Sequence, residues 1–191
     1  MWKKYFKKQE KRKAREQLVR AVSLCNDKNH ALDLGSGNFI ESKFLIKQKF
    51  KKIIAVDNSK DLKKYTKNLN KKIKFENISF QEYDYPKKTF DLINAQFSLP
   101  FYGKKDFFSF TKKVTKSLKP KGIFVGQFFG NKDSFNTKKY KNRLAFQTKK
   151  EVLDILSGFK ILEFMEEEKE GKTVSGKQRH WHVFHFIAKK R

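Results

Sequence analysis

The chain has 191 residues, 46 Lys+Arg against 20 Asp+Glu and a formal net charge of +26, with 38% hydrophobic residues that include 21 Phe. Length favours one domain, typical domains running roughly 100–200 residues, and the apolar content supplies a core, which excludes wholesale disorder. No apolar run approaches the roughly 18–20 residues of a membrane-spanning helix, residues 1–10 lack the apolar stretch of a secretory signal, and the single Cys25 excludes an intramolecular disulfide or a cysteine zinc knuckle. A reducing, cytoplasmic location follows as the expectation.

Residues 1–24 carry apolar positions at helical spacing, so residues 1–25 are expected as an amphipathic helical extension to a core of residues 28–191. An alternating series follows. Residues 31–34 read as a strand, 41–49 as a helix, 52–56 as a strand and 61–69 as a helix capped by Ser59. Strands are expected at 72–78 and 90–97, and a helix at 106–118 that ends before Pro120. A strand at 122–129, a short helix at 151–157 and strands at 159–166 and 180–188 complete the series. The polar segment 167–178, with Gly171 and Gly176, connects the last two as a hairpin and is expected to be the least ordered part. Strands alternating with helices give an α/β fold: a mainly parallel seven-stranded sheet, helices on both faces, and an antiparallel last strand.

A pI near 10 nominates nucleic acid as a partner. The excess is almost all Lys, however, with Arg only at positions 12, 15, 20, 143, 179 and 191, whereas Arg is favoured for bidentate phosphate and base contacts. The lysines are also scattered along the chain, as a compositional bias would scatter them.

The informative segment is Ala31-Leu32-Asp33-Leu34-Gly35-Ser36-Gly37-Asn38. Glycines after a buried strand allow a tight turn and a close ligand approach, and Asp57, twenty residues after Gly37, can accept hydrogen bonds from a ribose diol. A dinucleotide site wants a third glycine where Ile40 stands, and there is no phosphate loop. Asp33 near the turn would repel a pyrophosphate but suits an ammonium group, so a cationic, phosphate-free nucleoside fits best.

With these motifs in order, the sequence from about residue 28 onward resembles the class I S-adenosylmethionine-dependent methyltransferases. Asp33-Leu34-Gly35-Ser36-Gly37 matches their first motif, with Phe39 in place of the last glycine. Phe90-Asp91-Leu92-Ile93-Asn94-Ala95 matches their fourth strand, and Leu118-Lys119-Pro120-Lys121-Gly122 the approach to the fifth. The resemblance implies S-adenosyl-L-methionine as cofactor. It places Asp33 at the cofactor's amino group, Gly35, Ser36 and Gly37 against its methionine portion, and Asp57 with Asn58 at the ribose. It also sets Ser79 and Phe80 beside the adenine, where many members carry an acid, and Asn94 and Gln96 toward cofactor and substrate. Trp2, Tyr5 and Phe6 either cap the cofactor or pack on the sheet.

Transfer of an activated methyl group needs mainly proximity and orientation, worth up to roughly 7–11 kcal/mol, so no loud catalytic signature is expected. The motif that holds a base amine is absent at Asn94-Ala95-Gln96-Phe97, and Cys25 is no cytosine nucleophile. His180 and His182 share a strand face and His185 takes the other. Packing is the plainer reading of all three; His180 and His182 are the weak candidates for a general base, and no metal is expected. The expected acceptor is a small molecule, handled by a monomer or weak homodimer with no membrane partner. The alternatives are an RNA methyltransferase using the basic surface and a non-catalytic S-adenosylmethionine-binding protein.

Overall fold

The computed structural model describes residues 2–140 and 142–191; the side chain of Trp2, expected near the cofactor, lies outside what is described. Strands β1 (His30–Leu34), β2 (Lys52–Val56), β3 (Ile73–Glu76), β4 (Phe90–Ala95), β5 (Leu118–Gly130), β6 (Phe146–Gln147), β7 (Phe159–Lys172) and β8 (Gln178–Lys190) form one sheet. Its order is β3-β2-β1-β4-β5-β8-β7, with β6 paired to β5 off that path. All pairings are parallel except those of β8, which runs antiparallel to both β5 and β7. The seven expected strands are present; β6 is an eighth, and two residues are too few to show a period.

β4 is buried at all six positions, the pattern of a parallel strand covered on both faces. One face carries Phe124, Phe128 and Phe186, their rings 4.8–4.9 Å apart in sequence around Phe186. The other packs against α2 (Glu16–Ser23) and α3 (Ile40–Lys47) through Leu18, Val22, Phe39 and Leu45.

Three expectations need correction. The N-terminal segment is two helices, α1 (Trp2–Gln9) and α2. The chain leaves the helix between them, and Arg12 there forms two bonds to Glu41, at 2.7 and 2.9 Å. The helix expected at 61–69 is a 3₁₀ turn, Lys60–Leu62, and a four-residue α4, Lys63–Thr66, with no side-chain cap from Ser59. Lys60, Lys63, Lys64 and Lys67 put like charges at three- and four-residue spacing, which opposes a longer helix. Finally, the segment 167–178 is mostly strand. Across β7 and β8 Glu170 faces His180, with its carboxylate 2.6 Å from the ring, and such a cross-strand pair stabilises an otherwise polar ladder. Gly171 is part of it: a Cβ there would lie 3.3 Å from the Trp181 ring.

The remaining helices, α5 (Phe107–Ser117) and α6 (Lys149–Ile155), cover the phenylalanine-rich face. α6 starts on a capping box of Thr148 and Glu151. The loop after β5 is tied to the start of β8 by a buried pair: Arg179 donates through Nε and Nη2 to Asp133, at 2.8–3.1 Å. Removing one partner of a buried ion pair costs about 3–5 kcal/mol, because the other charge stays buried. Asp133→Ala is expected to lower unfolding stability by about that amount in denaturant titration. The double variant Asp133→Ala with Arg179→Met should recover much of the loss.

Candidate functional site

The strand order reverses between β1 and β4, and ligands of open α/β sheets bind in the crevice at that switch point, beyond the carboxyl ends of the strands. Here the crevice opens into a cavity of about 430 Å³, within the roughly 300–1,000 Å³ of small-ligand sites. A smaller space of about 40 Å³ adjoins it, lined in part by the same residues.

The glycine turn forms one wall. The N–H groups of Gly35 and Ser36 donate to Val56 O at 2.8 and 3.2 Å, lashing the turn to the end of β2. Gly35 has φ +72°, and a Cβ there would collide with Ser98; glycine is what lets the chain after β1 and the chain after β4 meet. Gly37 has φ +50°, and its N–H donates to Asp57 Oδ2 at 3.1 Å. Asp57 Oδ1 accepts from Ser59 N–H at 2.9 Å. Burial raises the Asp57 pKa and these backbone bonds oppose the rise. Each oxygen keeps lone-pair capacity on the cavity side, so the carboxylate can accept a diol. Asn58, Ser79 and Phe80 line the same end of the cavity. Phe80 stacks at 6.0 Å on Phe110, and Glu82 accepts from both the N–H and Oγ of Ser79.

Asp33 is 1% exposed and faces the smaller space with Ser36 and Asn94. Its Oδ2 accepts from Ser42 Oγ at 2.5 Å and its Oδ1 from Asn94 Nδ2 at 2.8 Å. Burial, and secondly the nearby Glu41, push its pKa up to about 7. A cation beside Asp33 would reverse that shift. Arg15 lies close by, its guanidinium 4.6 Å over the Phe97 ring, and burial followed by Arg12 lowers its pKa. The carboxylate that acts on it, Glu41, is already held by Arg12.

Among the described residues, the buried side-chain polar atoms without a partner are Arg12 Nε, Ser36 Oγ, Asn94 Oδ1, Gln96 Nε2 and Ser98 Oγ. All five residues line one of the two spaces. Buried polar atoms are normally hydrogen-bonded, so this concentration fits a polar ligand bound there. Every cofactor-binding position expected from the sequence lines one of the two spaces.

His180 and His182, the weak catalytic candidates, line neither. The His182 ring fills the place of the missing Gly130 side chain. Its Nδ1 accepts from Lys132 N–H at 3.1 Å, so the neutral ring carries its proton on Nε2 and donates to Glu166 at 3.1 Å. His180 lies 2.6 Å from Glu170, which raises its pKa by hydrogen bonding. Glu166, Glu168 and His182 bring ligand atoms within 4.8 Å of one another. Lys149 and Lys132 neutralise the two carboxylates at 3.1 and 2.6 Å, and the His182 Nε2 lone pair is used by its proton; the cluster is an ion-pair network.

Sequence reasoning missed Arg12, Arg15, Phe97, Phe129, Arg179 and Trp181 as wall residues. One signal was available. In a chain whose cations are nearly all Lys, three of the six arginines line the two spaces.

A mainly parallel sheet with its crevice at the β1/β4 switch, a glycine turn and an acid after β2 define a nucleoside-binding α/β domain. Residues 32–126 match the family model of the methyltransferase domain. The glycine turn, Asp57 and Gln96 all lie within the match, and the fold is that of S-adenosylmethionine-dependent methyltransferases. Similar solved structures agree on the fold. TehB from Haemophilus influenzae superposes with a TM-score of 0.76 at 16% identity, over 100% of this chain and 67% of that one. The N-methyltransferase NodS from Bradyrhizobium japonicum, in complex with S-adenosyl-L-homocysteine, gives 0.65 at 16%, over 91% and 84%. The 1,6-didemethyltoxoflavin-N1-methyltransferase from Burkholderia thailandensis, bound to 1,6-didemethyltoxoflavin and S-adenosylhomocysteine, gives 0.62 at 15%, over 92% and 78%. A sequence comparison with curated proteins finds no match. No helix among the described residues is long and apolar enough to cross a membrane.

The raised pKa of Asp33 has a consequence for the unliganded protein. The folded state holds a proton that the unfolded chain releases near the ordinary Asp value of about 4. The stabilisation is therefore complete below that value and is lost as pH rises to about 7, at up to about 1.4 kcal/mol per pH unit. Denaturation at pH 4.5–8 is expected to show this slope, and Asp33→Asn to flatten it.

Proposed function

We propose that the protein transfers the methyl group of S-adenosylmethionine to a small-molecule acceptor. The observation that carries this reading is the covering of the cavity. Tyr5, Phe6 and Gln9 of α1 line it from one side, and Lys172 and Val174 of the β7–β8 hairpin from another. Lys8 Nζ donates to Val174 O at 2.9 Å and joins the two covers. A cavity bridged in this way suits a small acceptor better than a nucleic acid strand, which needs an open groove. On this reading residues 1–25 are a helical cover on a catalytic core of residues 28–191. The 1,6-didemethyltoxoflavin bound in the Burkholderia thailandensis structure named above lends the same support.

The donor set fits the cofactor. Asp57 would accept the ribose diol, and Asn58 lies beside it at the cavity rim. Ser79 and Phe80 flank the place of the adenine, and Gly35 and Gly37 leave room for the chain of the methionine. An amino acid end presents an ammonium and a carboxylate together, and Asp33 and Arg15 offer the opposite charges on one small space. When bound, S-adenosylmethionine supplies a methyl group already activated for displacement. The residues of the chain then act by holding, orienting and excluding water.

Two experiments test this. Calorimetry with S-adenosylmethionine and S-adenosylhomocysteine should show binding of both by the wild type. Asp57→Ala should weaken both about 10- to 100-fold, since a hydrogen bond to a charged group contributes about 1.5–3 kcal/mol. Unchanged affinity would remove Asp57 from the ribose site. The acceptor class is read by incubating total RNA and, separately, a metabolite extract with methyl-labelled cofactor at physiological salt. Label is expected in the extract; site-selective label in one RNA would overturn the small-molecule reading. Salt-sensitive binding alone decides nothing, because any polyanion meets a protein of this charge.

A further inference from the structure

The end of the cavity away from Asp57 has a distinct chemistry. Asp57 follows β2, and Trp181 lies on β8, four strands away in the sheet, about 19 Å at the usual interstrand spacing. Around Trp181 the wall is aromatic. Phe129 sits at its centre, with ring centroids 6.1 Å from Trp181 and 6.5 Å from both Phe97 and Phe101. The Arg179 guanidinium, fixed by Asp133, lies 3.8 Å from the Trp181 ring and 4.5 Å from that of Phe129. Phe97 holds a left-handed backbone, φ +54°, which costs a non-glycine residue roughly 1–2 kcal/mol. Such strain persists where the surroundings enforce it, and the anchor is Gln127, whose Oε1 accepts from Phe97 N–H at 2.8 Å.

That bond fixes a chain of amides. With Oε1 taken by a backbone donor, Gln127 Nε2 is a donor, and it gives to Gln17 Oε1 at 2.5 Å and to Gln96 Oε1 at 2.8 Å. Gln17 Nε2 ends the chain on Phe186 O at 3.1 Å. The Gln96 carbonyl is thereby committed as an acceptor, which leaves its Nε2 as the free end, buried and without a partner on a residue that lines both spaces. The Gln96 carbonyl is used, so this residue offers a nucleophile a donor and no acceptor. Among the described residues, the carboxylate on the wall of the larger cavity is Asp57, at the far end, and no histidine lines it; Asp33 and Glu41 line the smaller space. The other charged groups on that wall are the cations Arg15 and Lys172, together with Arg179, whose charge is already balanced by Asp133.

We propose, resting on the methyltransferase reading above, that the acceptor is a planar aromatic or heteroaromatic molecule whose nucleophilic atom is already an anion when it binds, a thiolate or an acidic phenolate. Its ring lies against Trp181 and Phe129, and its charge meets the Gln96 amide in a cationic field. In the transfer, the anion's lone pair forms the bond to the methyl carbon. The carbon–sulfur bond breaks with its electron pair going to sulfur, and two neutral sites result. No proton is released, which is why the wall needs no base. Gln127 is a positioning residue that keeps the Gln96 donor aimed.

Three compounds of one shape and different charge make the test: 4-nitrothiophenol, 4-nitrophenol and the neutral 4-nitroaniline, with propanethiol as a non-planar thiol. The S-adenosylhomocysteine-loaded wild type is titrated with 4-nitrophenolate and with 4-nitroaniline; the phenolate is expected to bind at least tenfold tighter. Methylation is then followed by mass and by a pH indicator. Both planar anions should turn over, 4-nitrothiophenol without net proton release above its own pKa and with kcat/KM rising in step with its ionisation. Trp181→Leu should raise the KM for 4-nitrothiophenol about tenfold, with Trp181→Phe restoring most of it. Gln127→Met should lower kcat more than it raises KM. Equal binding of phenolate and aniline, binding of neither, or equal turnover of propanethiol would overturn the inference. Failure of S-adenosylhomocysteine to bind at all would instead overturn the methyltransferase reading on which it rests.

Discussion

The close approach of two loops at the carboxyl ends of β1 and β4 governs the rest of the site. The chain leaves β1 toward β2 and leaves β4 toward β5, in opposite directions, so a crevice must open between them. Its width is set where Gly35 meets Ser98, a contact that admits no Cβ. From there the turn is anchored sideways, by Gly35 and Ser36 to Val56 O and by Gly37 to Asp57. The same few bonds close the glycine turn and orient the acid at the end of β2. A change in either loop therefore reaches both the turn and Asp57.

Charge is distributed in two ways that the net value of +26 conceals. Lysines cover the surface, where exposed charge contributes little to any one structure. Arginines appear where a rigid fork is needed: Arg12 bidentate on Glu41, Arg179 bidentate on Asp133 and stacked on three rings, Arg15 over Phe97. The carboxylates of the site, Asp33 and Asp57, are held in burial that raises their pKa values. A bound ammonium or diol relieves that cost, so part of the affinity for such a ligand is built into the unliganded protein.

The fold and the glycine-turn end of the crevice were legible in the sequence because their signals are local. A strand, a glycine turn and an acid some twenty residues on are read from one stretch of chain, and Asp33, Gly35, Gly37 and Asp57 all line the crevice. The aromatic end of the cavity was not legible because it is assembled from distant segments. Arg15 comes from the link between helices, Phe97 from beyond β4, Phe129 from the end of β5, and Trp181 from the start of β8. His180 and His182 line neither space, and the sequence could not show this for a related reason. A period of two places both on one face but does not say what that face meets, and it meets the glutamates of β7. The segment 167–178 reads as a loop because it is polar, whereas its pairing across β7 and β8, with Glu170 bonded to His180, makes it mostly strand.

The amide chain joins these ends. Gln17 belongs to α2, Gln96 follows β4 and Gln127 lies within β5, so one run of hydrogen bonds links the helical cover, the crevice and the sheet. Amides can be turned end for end, and a run of them has no direction until something polar and immovable sets it. Here two backbone groups do so, Phe97 N–H at one point and Phe186 O at another. An isolated glutamine at position 96 would offer a donor or an acceptor as a ligand demanded. Tied into this run it offers a donor alone, and that one-sidedness converts a polar residue of no evident chemistry into a constraint on what the cavity accepts.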